Sequence, residues 1–171
     1  MVRNRHGENR FRSYRQIHET VLSKFKSCDF VDTDTLEFNS LPYGIRLSGE
    51  IACLGEIVIT VDKFLTILSG CDDEALVKTK WYSYNASVRG WHNIIRFDNQ
   101  DDDFKRPGHL DEHHQHVFDW RTGEEKPGSP YWVGEENWGT LGNFLQLMQD
   151  WYWQNCSSLS NPDKYPNLGL R

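Results

Sequence analysis

The sequence predicts an α+β fold: an antiparallel β-sheet, a meander of about four to five strands, packed by an N-terminal and a C-terminal helix. Three observations lead there. Apolar residues recur at three and four near both ends of the chain, they alternate at two in the middle, and the hydrophobic mass is concentrated in rings. Seven Trp, seven Tyr and nine Phe occur among 171 residues whose mean hydropathy is −0.70, so an aromatic core beneath polar loops is expected.

The length suits a single domain, placed at residues 13–156, with a flexible basic arm at 1–12 and an irregular tail at 157–171. Tyr14, Ile17, Val21, Leu22 and Phe25 predict a helix over Ser13–Ser27, with Ser13 and Gln16 as a capping box. From Tyr43 the period becomes two: Ile45, Leu47, Gly49 and Ile51 form one strand, Ile57, Ile59 and Val61 the next, and the hairpin turns at Leu54 and Gly55. "DKFLTILSG" either prolongs that second strand or begins a short helix. "LVKTKWYSYNASVRGW" and "HNIIRFDN" predict a second hairpin, broken near Arg89 and Gly90, and "QHVFDW" a fifth short strand. Residues 99–113 form a long polar loop between them. Leu141, Phe144, Leu145, Met148, Trp151 and Tyr152 then stripe the closing helix, with Thr140 as its N-cap.

Charge and composition exclude several classes. The net charge of −6 argues against a protein that coats nucleic acid with its whole surface. The distribution is uneven: Met1–Ser27 holds seven Lys or Arg against two Glu, whereas Phe97–Thr140 holds eleven Asp or Glu against four Lys or Arg. Cys28, Cys53, Cys71 and Cys156 form no CxxC pair and are read as reduced thiols. No apolar run is long enough to span a membrane and the N-terminus has no apolar centre, so a cytoplasmic protein without membrane contact is expected. No glycine-rich phosphate loop follows a strand.

Four of the seven histidines, His109, His113, His114 and His116, fall in "HLDEHHQHVFDW". Strand alternation puts His114, His116, Phe118 and Trp120 on one face and His113 with Val117 on the other. Paired imidazoles titrate near neutrality and can share acid and base duty. Metal-free RNA cleavage needs a base for the 2′-hydroxyl, an acid for the leaving 5′-oxygen and a cation for the phosphorane. Arg96 is the candidate cation, and Tyr82 or Tyr84 a phosphate donor or stacking ring. A metal is the competing chemistry, since His114 and His116 with His109 or Asp98 have the donor types of a zinc site. A solvated, merely structural cluster is the third reading. Asp101, Asp102 and Asp103 read as a solvated turn, and Asp98 and Asn99 most simply end a strand on their own backbone. Trp81, Trp138, Trp151 and Trp153 are expected in the core, Trp91 and Trp132 as exposed rings.

"WYSYNASV", "IIRFDN", "HHQH" and the closing amphipathic helix together resemble the TumE family, the toxin components of small type II toxin-antitoxin modules. Tyr82 and Tyr84 match the family's Y-x-Y strand, Arg96, Asp98 and Asn99 its R-Y-D-N strand end, and His113, His114 and His116 its histidine cluster; Phe97 stands in the tyrosine position. The resemblance implies a growth-inhibiting ribonuclease that uses no cofactor and is neutralised by a helix-turn-helix antitoxin. His114 and His116 would be acid and base, Arg96 would stabilise the phosphorane and Tyr84 would position the RNA, with Tyr82, Asp98, Asn99 and His113 binding substrate. Two rivals stand beside it: a non-enzymatic interaction module whose acidic loop binds a basic partner, and a zinc-dependent hydrolase.

Overall fold

Alternation at two gives the middle of the chain a sheet with one apolar and one polar face. The computed structural model, which describes residues 7–99, 113–133 and 139–169, is α+β with nine strands and two α-helices among those residues. The strands are β1 (Asn9–Arg10), β2 (Val31–Asp34), β3 (Glu37–Leu41), β4 (Gly44–Cys53), β5 (Ile57–Ser69), β6 (Leu76–Val88), β7 (Asn93–Asp98), β8 (His114–Val117) and β9 (Tyr131–Trp132); the helices are α1 (Phe11–Ser27) and α2 (Leu141–Asn155). All pair antiparallel, in the order β2-β4-β5-β6-β7-β8-β9, with β3 also on β4 and β1 on β6.

The sheet therefore exceeds the four or five strands expected. The additions β1, β2, β3 and β9 have two to five residues each, too few for a period to register. The two expected hairpins are present, turning at Gly55 and Gly90, both with φ near +77°, a backbone that glycine adopts without strain. "DKFLTILSG" continues β5 to Ser69.

The α1 start differs from the expected capping box. Ser13 lies inside the first turn and Arg10 takes the N-cap position without a side-chain cap. The cause is tertiary: β1 pairs with Leu76 and Val77, the Phe11 amide donates to Ala75 O at 2.9 Å, and the Arg10 guanidinium donates to Glu74 O at 2.7 Å. Residues 9–12, within the arm expected over 1–12, are thus paired or helical, and residues 1–6 lie outside the described residues. The α2 start is as expected: the Asn143 amide donates to Thr140 Oγ1 at 3.2 Å.

Both helices cover one face of the sheet, where Leu22, Phe25, Phe144, Leu145 and Met148 meet Leu47, Ile59, Val61, Tyr82 and Tyr84. Phe144 is fully buried, its ring centroid 5.7 Å from that of Tyr84 and 5.3 Å from that of Phe97. The tail is irregular yet fixed: the Glu56 amide donates to Lys164 O and the Tyr152 hydroxyl to Pro162 O at 3.0 Å. Trp153, expected in the core, is exposed, because it points away from the stripe that Phe144, Leu145, Met148 and Tyr152 turn toward the sheet.

Phe144→Ala is expected to cost about 3–5 kcal/mol, the usual range for emptying a buried aromatic site. Trp153→Ala in the same helix should cost under about 1 kcal/mol. Urea unfolding of both variants checks the pair.

Candidate functional site on the open face of the sheet

The register of three strands decides what lies opposite the helices. Tyr84 pairs with Phe97 and Phe97 with Gln115, all on the helix-covered face, so their neighbours point the other way. On that open face Ser83, Asp98, His114 and Trp132 form one cross-strand row, and Asn85, Arg96 and His116 the next. Trp81, two residues before Ser83, shares the face and stacks on Phe64 at 5.9 Å between centroids.

Asp98 is the hub of the cluster. Arg96 donates through Nε to its Oδ2 at 2.7 Å, and His114 Nε2 lies 2.8 Å from its Oδ1. Asp98 and His114 side chains are each only 5 % exposed. Burial works to raise the Asp98 carboxyl, but the polar contact and charge of His114, with the charges of Arg96 and His116, outweigh it and hold the group below its ordinary value. The carboxylate is ionised and can only accept; its Oδ1 faces His114 Nε2 in a close charge contact that lacks the alignment of a full hydrogen bond.

His116 is held from the other side. Its Nδ1 lies 2.7 Å from Glu125 Oε1, and that oxygen also accepts from the Ser129 hydroxyl at 2.6 Å, while Ser129 Oγ accepts from the Val117 amide at 2.9 Å. Burial pulls the His116 imidazole below its ordinary range, against the raising effect of the Glu125 hydrogen bond. Burial also works to raise Glu125, but bonds from Ser129 and His116 keep it low and ionised. An ionised carboxylate only accepts, so Nδ1 carries the His116 proton and Nε2 keeps its lone pair. That Nε2 is buried and has no hydrogen-bond partner among the described residues. The two imidazoles meet edge to face, 4.9 Å between centroids.

Arg96 is bound only through Nε. With its side chain 38 % exposed, it leaves its terminal amino groups without hydrogen bonds among the described residues, free for an anion. Asn85, opposite Arg96, spends its amide nitrogen on Asn93 Oδ1 at 3.0 Å. Its own Oδ1 is buried without a partner among the described residues.

The structure thus brings together four of the sequence-predicted residues, Arg96, Asp98, His114 and His116, and separates the others. Tyr84, placed beside the histidines by the sequence, is on the helix-covered face and 1 % exposed, because it pairs with Phe97 and not with Arg96. Tyr82 is buried on that same face, where its hydroxyl lies 3.3 Å from His113 Nδ1 and the two rings stack. Asn99 is spent on the backbone of β6, accepting from the Tyr82 amide at 2.8 Å and donating to Lys80 O at 3.1 Å. His109 and Asp101, Asp102, Asp103 lie outside the described residues. Glu125 and Ser129 were missed by sequence reasoning. Their signal was the Thr122–Gly123 turn, which folds the chain back so that Glu125 bridges to Phe118 and comes beside His116.

Asp98, His114 and His116 also offer ligand atoms within 4.8 Å of one another, the donor set of two imidazoles and a carboxylate that suits a divalent cation. Arg96 works against that use, since it already holds one Asp98 oxygen and a divalent cation beside it would be repelled by about 8 kcal/mol at about 4 Å in a partly solvated site. All four cysteines are free thiols and none joins the cluster. No protein-family model matches the chain, no curated protein matches its sequence and no solved structure matches its fold. No helix among the described residues is long and apolar enough to cross a membrane.

Acid should loosen this site by two routes of the same sign. The depressed His116 contributes stability that is complete above the ordinary imidazole value near 6.5 and is lost as pH falls toward its lower folded value. The depressed Asp98 contributes stability complete above the ordinary value near 4 and lost as pH falls through its own. Thermal melts from pH 8 down to pH 3 should show a falling midpoint with both limbs. Asp98→Asn should shrink the lower limb, leaving the part due to Glu125, and cost about 3 kcal/mol at pH 7, by leaving Arg96 and His114 without their carboxylate.

Proposed function

We propose that the protein is a TumE-like toxin, a metal-independent endoribonuclease whose site is the open face of the sheet and whose action is blocked by a helix-turn-helix antitoxin. One observation carries the chemistry: His116, oriented by Glu125, keeps an unpartnered Nε2 on the same face as the free guanidinium end of Arg96. His116 Nε2 takes the proton from a ribose 2′-hydroxyl, and the 2′-oxygen attacks the adjacent phosphorus. Arg96 donates to the phosphorane oxygens as charge builds there. The bond to the 5′-oxygen breaks, and that oxygen takes its proton from His114, whose imidazolium form Asp98 stabilises. The products are a 2′,3′-cyclic phosphate and a 5′-hydroxyl.

Two further features support RNA as substrate. The unpaired Asn85 Oδ1 beside Arg96 suits a hydroxyl donor such as the ribose 2′-OH, and the Phe64–Trp81 pair on the same face offers rings on which an unpaired base can stack. The motif residues behind the resemblance, though not all on one face, converge on adjacent strands of one sheet. The net charge of −6 fits a localised site better than a long nucleic-acid track.

Induced expression of the wild type in a bacterium should arrest growth, and His116→Ala or Arg96→Ala should relieve the arrest. Purified wild type should cleave RNA equally with and without EDTA, the His116→Ala rate falling by about 10²- to 10⁴-fold. Tyr84→Phe should cleave as wild type. Intact RNA under all conditions contradicts the proposal. Cleavage lost in EDTA and restored by one equivalent of zinc would assign the Asp98, His114 and His116 cluster to a metal instead.

A further inference from the structure

Lys63 is a buried amine without a counter-charge among the described residues. It sits in β5 between Leu47 and Tyr82, on the helix-covered face and away from the site above, and is only 7 % exposed. A lysine in that environment normally has a carboxylate beside it. Lys63 has no hydrogen bond or salt bridge to any described residue; its one specific contact is the Tyr14 ring, 5.0 Å from Nζ to the centroid. Burial alone draws the amine down to about 7. The other polar side chains lining the same cavity are Asn9 from β1, Tyr14 and His18 from α1, Thr79 from β6 and Thr140 at the head of α2, with Tyr82 beside Lys63 in the sheet. None of these carries negative charge near neutrality.

The amine lines a cavity of about 160 Å³ between α1, the sheet and the start of α2. Its walls include Ile17, Val21, Leu65, Val77 and Leu141, so most of the lining is apolar. The start of α2 adds donors, because the amides of Leu141 and Gly142 in its first turn have no carbonyl four residues back within the helix, and the helix dipole is positive there. An apolar chamber with a buried, unpaired ammonium at one end and helix amides beside it matches one ligand chemistry: an apolar body carrying one negative charge. A cavity near 150 Å³ holds a benzene-sized molecule, which sets the body at about six carbons.

We propose that this cavity binds a small amphipathic monocarboxylate, its carboxylate on Lys63 and the first turn of α2, and its hydrocarbon against Ile17, Val21, Leu65, Val77 and Leu141. The ligand supplies the counter-charge that Lys63 lacks among the described residues and ties α1 to α2 through the sheet. The site is a binding site and includes no group of the open face, so its occupancy reads out separately from RNA cleavage.

The test is calorimetric titration of the full chain with hexanoate, and with 1-hexanol as the uncharged counterpart. Wild type at pH 6 should bind one hexanoate saturably and hexanol at least tenfold more weakly. Lys63→Met, which keeps an unbranched side chain one atom shorter and removes the charge, should lose at least tenfold in hexanoate affinity while keeping or improving on its hexanol affinity. The carboxylate selects the ammonium form, so wild-type affinity should be level below pH 7 and fall as pH rises above it, by up to tenfold per unit. That profile needs only the wild type and stands even if Lys63→Met fails to fold. Absence of saturable hexanoate binding, equal binding of hexanoate and hexanol, or a pH-independent affinity overturns the proposal.

Discussion

The antiparallel register of β6, β7 and β8 is the constraint on which everything else rests. It pairs Tyr84 with Phe97 and Asn85 with Arg96, and it pairs Arg96 with His116 and Asp98 with His114. A slip of one residue would exchange the two faces of a strand, driving Arg96 and Asp98 under α2 and throwing Phe97 into water. The rings of Tyr84, Phe97 and Phe144 oppose that slip, because their mutual burial exists in one register only. The apolar face thus fixes the position of the polar one, and the site inherits its geometry from a core it does not touch.

Polar groups on the open face are costly to bury and are compensated locally. Asp98 and His114 are nearly inaccessible; Arg96 satisfies one Asp98 oxygen, and His114 Nε2 approaches the other at 2.8 Å. Glu125 and Ser129 hold one edge of His116, and the leftover valences among the described residues then stand out: one carboxylate oxygen, one imidazole nitrogen, one amide oxygen and one guanidinium end. Lys63 is a second leftover on the opposite face, with a cavity in front of it. Unspent hydrogen-bonding capacity in an otherwise satisfied interior points to a ligand, since an orphaned buried group costs free energy that only a partner returns.

Much of this was legible in the residues. Strand alternation separated His114 and His116 from His113, and placed Arg96 next to the pair, because a period of two is local and survives folding. The α2 cap and stripe were legible for the same reason. Tyr84 was misplaced because its face depends on whether it lies opposite Phe97 or Arg96, a relation between strands that no single strand records. Glu125 escaped because it reaches His116 through a turn and not through a motif. The start of α1 was misjudged since Ser13 and Gln16 satisfy a local rule, while β1 pairing and the burial of Phe11 override it. The short edge strands carry too few residues to show any period, and Lys63 reads in the sequence as an ordinary solvated lysine in "VDKF".

Burial keeps His116 a neutral imidazole, and Glu125 fixes its proton on Nδ1 and leaves a basic Nε2. Nitrogen-15 NMR of the histidine-labelled protein reads tautomer and titration at each ring nitrogen directly. The expected result is a His116 protonated at Nδ1, with Nε2 unprotonated at pH 7 and titrating below the ordinary histidine range, and with the tautomer preference lost in Glu125→Ala. A proton on Nε2 at pH 7, or an ordinary titration unaffected by Glu125→Ala, would contradict the account.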